Sequence, residues 1–140
     1  MFFFGTFEHS IDERGRLAIP ARYRHAFVDG GVLRVGPEGA VEAYTQATFD
    51  EEVQRRLGSE DGNRRLDARR IRRSFLPDAY AIELDKQGRI LIPPQIREAG
   101  SLDTGKILII GCGDYLELWH PDAWRGEQER LASESSEGGA

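Results

Sequence analysis

Asp12 and Arg16 are four positions apart, and Asp85 and Arg89 repeat that spacing. In each pair a glycine, Gly15 or Gly88, sits directly before the arginine. Aspartate at the first position and glycine at the fourth suit a type I turn that closes through a left-handed residue. In such a turn the carboxylate can cap backbone amides and also hold the guanidinium. A held, forked cation suits phosphate contact or bidentate reading of guanine O6 and N7. Arg14 and Lys86 add charge at or near the loop tips, and Arg24 and Arg97 follow on the next helices. The plainer reading is that each Asp–Arg pair only braces a hairpin, and that Arg24 and Arg97 lie on a solvated or salt-bridged helix face. Retention of the polar pair in both copies, and not of core positions alone, favours binding.

The two loops belong to an internal repeat. Residues 11–27 read IDERGRLAIPARYRHAF and residues 84–100 read LDKQGRILIPPQIREAG, with no gap at an offset of 73. Identical positions are Asp12/Asp85, Gly15/Gly88, Arg16/Arg89, Ile19/Ile92, Pro20/Pro93, Arg24/Arg97 and Ala26/Ala99. The match resumes at an offset of 75, where Val32–Gly36 meets Ile107–Gly111 and Val41–Tyr44 meets Leu116–Trp119. Self-similarity of this length marks a duplicated supersecondary unit.

The same elements are expected in each copy. A strand over about 2–11, matched by 78–84, leads into the turn. Short strands follow at Arg16–Ile19 and Arg89–Ile92. Pro20 and Pro93 can open short helices, because proline suits the first helical position. A hairpin comes next, 32–36 with 40–45 and 106–111 with 115–119. Its turns are Gly36-Pro37-Glu38-Gly39 and Gly111-Cys112-Gly113-Asp114. Ile107–Ile110 lacks a polar interruption and reads as a fully buried strand. Each copy ends in a helix. In the first, Thr48 to Glu51 reads as a capping box, with Phe49, Val53 and Leu57 on one face. In the second, Pro121 can open the helix, with Trp124 and Leu131 as its apolar contacts. Between the copies, Asn63–Leu76 reads as a basic amphipathic helix with Leu66, Ala68, Ile71 and Phe75 on one face. Its arginines suit a solvated face, DNA contact, or a neighbouring subunit's acidic Asp50–Glu52. The expected division is a first repeat at 2–57, a linker helix at 58–76, a second repeat at 77–131 and a disordered tail at 132–140.

Either half alone is too small for a good core. The economical fold is therefore α+β and mainly β: one pseudo-twofold β-barrel built from both repeats and decorated by helices. Its symmetry should bring the two loops to one face.

Composition narrows the classes. The 140 residues carry 19 Lys plus Arg and 24 Asp plus Glu, a formal net charge of −5. That average argues against a nucleic-acid binder, but it hides a strong segregation. Residues 62–76 hold six arginines and one acid, residues 38–52 hold five acids and no base, and residues 11–25 hold four arginines and two acids. No apolar run approaches the roughly 20 residues of a membrane span. The opening Met-Phe-Phe-Phe-Gly is too short for a signal core, so the expected location is cytoplasmic. The lone cysteine, Cys112, excludes an internal disulfide and any multi-cysteine metal site. His9, His25 and His120 show no metal-ligand spacing, so no metal or cofactor is expected.

An enzyme reading would make Asp12 and Asp85 a shared-proton dyad. The adjacent arginines oppose it, because they lower carboxyl pKa values where a dyad needs one raised. Cys112 has no evident histidine partner. No small-molecule substrate is indicated.

At Ile11–Pro20 the sequence resembles the start of AbrB-type swapped-hairpin DNA-binding domains. Two copies in this length, the opening Phe3–Gly5, the repeated Asp-x-x-x-Arg, the linker helix and Glu117–Trp119 are similar to the MraZ family over about residues 2–131. The resemblance implies a bacterial transcriptional regulator, usually a repressor, of its own division and cell-wall operon. It implies binding to short direct promoter repeats, assembly as a ring that is commonly octameric, and association with the nucleoid. It points to Arg16 and Arg89 as DNA contacts supported by Asp12 and Asp85, and, through AbrB-like relatives, to Arg24 and Arg97. Two features depart from the pattern: Phe2-Phe3-Phe4 is one residue longer before Gly5, and Lys86-Gln87 stands where the first copy has Glu13-Arg14. The two loops therefore need not contribute equally. An antitoxin-like AbrB-fold regulator is one alternative, although such chains usually carry one copy and a toxin-wrapping tail. An oligomeric scaffold without DNA binding is another.

Overall fold

A computed structural model of the chain describes residues 2–58, 65–103 and 105–138, with backbone alone at 65–67 and 136–138. The first copy contributes β1 (Thr6–Ile11), β2 (Arg16–Ala18), a 3₁₀ helix (Ala21–Phe27), β3 (Gly31–Val35), β4 (Val41–Thr45) and α1 (Gln46–Leu57). Helix α2 (Arg65–Phe75) links it to the second copy. That copy supplies β5 (Tyr80–Ile82), β6 (Arg89–Leu91), α3 (Pro94–Ala99), β7 (Gly105–Gly111), β8 (Tyr115–Trp119) and α4 (Pro121–Gly138).

The eight strands form one antiparallel sheet in the order β5-β3-β4-β8-β7-β1-β2-β6. The copies are interleaved. Strand β1 of the first pairs with β7 of the second, and β5 of the second pairs with β3 of the first. Two pairings cross the pseudo-twofold axis: β4 with β8 and β2 with β6. The barrel is nearly closed, because β5 and β6 are the sheet's two ends and are joined only by the turn in which the Asp85 amide donates to the Arg89 carbonyl. This is a swapped-hairpin barrel of two repeats, as the duplication implied.

Strand alternation fills its interior. Leu17, Ile19, Leu33, Val41, Ala43, Ile90, Ile92, Ile107, Ile109, Leu116 and Leu118 are all buried in one cluster that draws on both copies. Two smaller clusters cover the outer face. Val32, Tyr44, Phe49 and Phe75 pack beneath α1 and α2, and Ala40, Ile110 and Trp119 pack with Trp124 of α4. Ile107, Ile109 and Ile110 are accordingly buried, with one side of β7 on the interior and the other under α4.

Several boundaries differ from the sequence reading. Strand β1 starts at Thr6, because Gly5 takes φ +90° and Phe3 instead forms a lone bridge to Gly113. Strands β2 and β6 stop one residue short of the isoleucines, whose amides turn to the opposite copy's loop. The capping box is Thr45 with Thr48, three residues before the expected one, because α1 starts directly where β4 ends. Phe49 is buried, as its helix face requires. Leu131 is 50% exposed rather than packed, since α4 projects past the barrel beyond Trp124. The chain expected to be disordered from residue 132 continues as helix α4 to Gly138, a stretch of Ala, Ser and Glu with no breaker before the terminal glycine. In α2, Ala68 and Phe75 are buried as the amphipathic pattern predicts, while Asn63 and Arg64 lie outside the described residues.

Leu17 is fully buried at the β2–β6 crossing, so Leu17→Ala should destabilise the protein by about 2–5 kcal/mol in urea or thermal unfolding.

Candidate nucleic-acid interface

Each loop is built as its residues demand. The Gly15 amide donates to the Asp12 carbonyl (3.0 Å) and the Asp12 amide to the Arg16 carbonyl (3.1 Å). Asp12 Oδ1 accepts from the amides of Arg14 (3.0 Å) and Arg16 (2.9 Å), and Oδ2 accepts from Arg16 Nε at 2.7 Å. The second loop repeats this arrangement. Asp85 Oδ1 accepts from the Gln87 and Arg89 amides at 2.8 and 2.9 Å, and Oδ2 from Arg89 Nε at 2.9 Å. Gly15 and Gly88 take φ +83° and +76°, the left-handed conformation the turn requires.

Because only Nε of each arginine is used by the aspartate, the Nη ends of Arg16 and Arg89 make no hydrogen bond to a described residue. The aspartates fix where the guanidinium stands and leave its outer edge open. The Asp12 carboxyl is held below the usual carboxylate range, first by the Arg16 amide and then, against some desolvation, by the Arg16 side chain and the Arg14 amide. The Asp85 carboxyl is lowered in the same way, first by the Arg89 amide. Both therefore stay ionised at neutral pH, which is the opposite of a proton-sharing dyad.

The β2–β6 ladder sets the relation between the loops. Arg16 pairs with Leu91, Leu17 with Ile90 and Ala18 with Arg89. Leu17 and Ile90 point into the barrel, so Arg16, Ala18, Arg89 and Leu91 share its outer face. The arginines are diagonal neighbours across the ribbon, which places them roughly 7–8 Å apart, with their Cβ atoms somewhat closer. Leu91, opposite Arg16, is 58% exposed, an apolar element on this face that the strand reading did not single out. Arg14 and Lys86 are exposed at the loop tips, as their positions suggested.

Arg24 and Arg97 lie at the bases of the loops, half-buried, each with its Nε bonded to a backbone carbonyl. Arg24 Nε donates to the Ile19 carbonyl (3.0 Å) and Arg97 Nε to the Ile92 carbonyl (3.1 Å). Neither pairs with a carboxylate among the described residues. Arg97 lies against Gly15 and Arg24 against Gly88, each on the loop of the other copy. The linear pattern carries no signal for that exchange.

Other candidates separate from this face. Burial, with Glu117 alongside, pushes the Cys112 thiol up to about 12, so it is no nucleophile at neutral pH. His9 Nδ1 is 2.8 Å from the Ala18 carbonyl, and His120 Nδ1 accepts from the Asp122 amide at 3.0 Å at the start of α4. Among the described residues, no three His, Cys, Asp or Glu side chains form a metal-binding group, and no helix is long and apolar enough to cross a membrane.

Fold and face together define a class: two-repeat swapped-hairpin barrels that present paired Asp-x-x-x-Arg loops on one outer ribbon. A family model described as "MraZ protein, putative antitoxin-like" matches residues 2–74 and again 75–140. The chain belongs to the MraZ family. It is 38% identical over 134 residues to a protein of Thermomicrobium roseum named transcriptional regulator MraZ, covering 94% of this chain and 91% of that one. Proteins of the same name from Pelotomaculum thermopropionicum and Desulforamulus reducens are 39% and 37% identical, covering 96% and 87% of this chain and 91% and 84% of theirs.

The loop geometry makes a prediction of its own. Asp12→Ala removes three hydrogen bonds, so the Arg14 and Arg16 amides should exchange with solvent about tenfold faster or more, while Gln87 and Arg89 keep their protection. In an NMR titration of the intact protein, both carboxyls should titrate below an exposed aspartate. Their support of the loops is present above the unfolded-state pKa and is lost as pH falls through the folded one.

Proposed function

We propose that this chain is a sequence-specific DNA-binding transcriptional regulator, acting as a repressor of its own division and cell-wall operon. It works in the cytoplasm at the nucleoid, as a ring oligomer whose loops engage short direct repeats in promoter DNA. The observation that carries this reading is the β2–β6 ribbon, with Arg16 and Arg89 on its outer face and their Nη ends open. A two-stranded ribbon is of a size the major groove admits, and bidentate arginine–guanine contact is the commonest specific contact there. The name carried by the relatives, transcriptional regulator MraZ, supports the same function.

The residues divide by role. Arg16 and Arg89 read base edges or grip phosphate, with Asp12 and Asp85 holding them and Gly15 and Gly88 permitting the turn. Arg14 and Lys86 add phosphate contacts from the tips. Arg24 and Arg97 bring further cationic charge to the loop bases. Helix α2, with exposed Arg69, Arg70 and Arg73, faces a neighbouring subunit in the ring.

One protomer makes few phosphate contacts, so a single engagement is weak. Several protomers on phased repeats gain through effective concentration. Tight binding therefore needs more than one repeat.

The test is a gel shift on the DNA upstream of its own gene, run beside a mass measurement of the complex. Arg16→Ala should weaken binding by about 10- to 100-fold while the oligomer mass stays unchanged. Affinity should also fall steeply with salt, by a log–log slope of about −0.9 for each phosphate neutralised. Dissociation of the Arg16→Ala oligomer would make the residue structural. A flat salt response, or tight binding to a single isolated repeat, would contradict the proposal.

A further inference from the structure

We propose that Arg24 and Arg97 are positioning residues acting across the repeat boundary, each shaping the Asp-x-x-x-Arg loop of the other copy. The consequence for recognition rests on the DNA-reading role proposed above; the positioning itself rests on geometry alone.

The contact between Arg97 and the first loop closes in two steps. The Ile92 amide donates to the Gly15 carbonyl at 2.8 Å. The Ile92 carbonyl in turn accepts from Arg97 Nε at 3.1 Å. This folds the guanidinium back over the loop. A Cβ placed on Gly15 would stand 2.8 Å from Arg97 Nε, 2.9 Å from its Cζ and 2.9 Å from the Ile92 carbonyl oxygen. The guanidinium therefore lies close against Gly15, the residue directly before Arg16.

The second loop is held in the same way with the copies exchanged. The Ile19 amide donates to the Gly88 carbonyl at 3.0 Å, the Ile19 carbonyl accepts from Arg24 Nε at 3.0 Å, and a Cβ on Gly88 would overlap Arg24. Both glycines thus meet two requirements at once, a left-handed φ and room for an arginine from the other copy.

This arrangement assigns the arginines a definite task. Arg16 can present its Nη edge reproducibly only if the peptide preceding it is fixed, and a binding residue needs such support to within a fraction of an ångström. Asp12 supplies that support from within the loop, and Arg97 supplies it from across the barrel. No carboxylate competes for Arg97 among the described residues, since Asp12 is committed to Arg16 at 2.7 Å. The reading units are therefore composite. One consists of Arg16 with Arg97, the other of Arg89 with Arg24. Neither repeat owns a complete loop.

The experiment uses the full-length, ¹⁵N-labelled chain. Arg97→Ala should move the Gly15 and Arg16 amide resonances and leave Gly88 and Arg89 in place. Arg24→Ala should do the reverse. Arg97→Gln is the informative partner, because glutamine carries Nε2 at the same distance along the side chain as arginine Nε. It can restore the bond to the Ile92 carbonyl without the charge, and should bring Gly15 back toward its wild-type position. Movement of Gly88 in place of Gly15, or a Gln variant that displaces Gly15 as far as Ala does, would overturn the positioning role.

A second arm uses the promoter fragment from the gel shift. Arg97→Ala should cost about tenfold in affinity, add less than about twofold on top of Arg16→Ala, and multiply fully with Arg89→Ala. Full multiplication with Arg16→Ala would overturn the composite unit. If the wild-type chain binds no promoter DNA, the regulator reading falls, and the resonance pattern by itself decides whether the arginines position the loops.

Discussion

The two crossed hydrogen bonds at the loop bases, Ile92 amide to Gly15 carbonyl and Ile19 amide to Gly88 carbonyl, join the copies just past the ends of β2 and β6. They sit beside the β2–β6 ladder, the shortest of the pairings across the axis. Without them β2 and β6 would be three-residue strands with little to hold them. With them, the loops, the ribbon and the arginines of both copies become one rigid piece. Interleaving follows the same constraint: β1 finds its partner in β7 and β5 in β3, so neither copy can close its own sheet. A core shared this way answers the difficulty that half of 140 residues buries too little apolar surface to fold alone.

The outer face shows how the same sheet accommodates charge. Arg34 and Glu42 are opposite each other in the β3–β4 register and pair at 3.3 Å, both largely out of solvent. The Tyr44 hydroxyl donates to the same carboxylate oxygen at 3.3 Å. Burial still pushes the Glu42 carboxyl up, with Arg34 opposing it. Arg34 and Arg56 stand over Phe75 at 4.3 and 3.9 Å, and Phe75 stacks on Phe49 at 5.6 Å, so α2 is anchored by an aromatic ring in contact with two cations. Glu52 pairs with both Arg55 and Arg56. Of the five acids in 38–52, Glu42 is buried and Glu52 half-buried in these ion pairs, while Glu38, Asp50 and Glu51 are exposed; all lie on β4, the turn before it or α1, and none on the paired loops. The net charge of −5 is consequently a poor guide to the loop face, where the open guanidinium edges lie.

Local chemistry was legible wherever a short stretch contains its own partners. The Asp-to-Gly turns formed as read, because every bond within them spans four residues or fewer. The hairpins and their glycine turns were legible for the same reason. Element ends were less so. Thr45 and Thr48, not Thr48 and Glu51, cap α1, since the end of β4 decides where the helix begins and a strand's end depends on its partners. Leu131 looked like a packing residue because its type is apolar, but nothing in a linear spacing says how far the barrel surface extends beneath α4.

The sequence by itself determined the duplication, the barrel class, the paired loops and the Asp–Arg bond in each, because repetition and short-range hydrogen bonding are written in neighbouring residues. Tertiary structure alone decided which copy completes which loop. Arg24 and Arg97 each lie nine residues beyond the glycine of their own loop, and only strand exchange brings each against the opposite one. It also decided that Arg16 and Arg89 share one outward face with Leu91. That relation depends on the register of β2 against β6, a contact between residues some 70 positions apart, which no local pattern specifies.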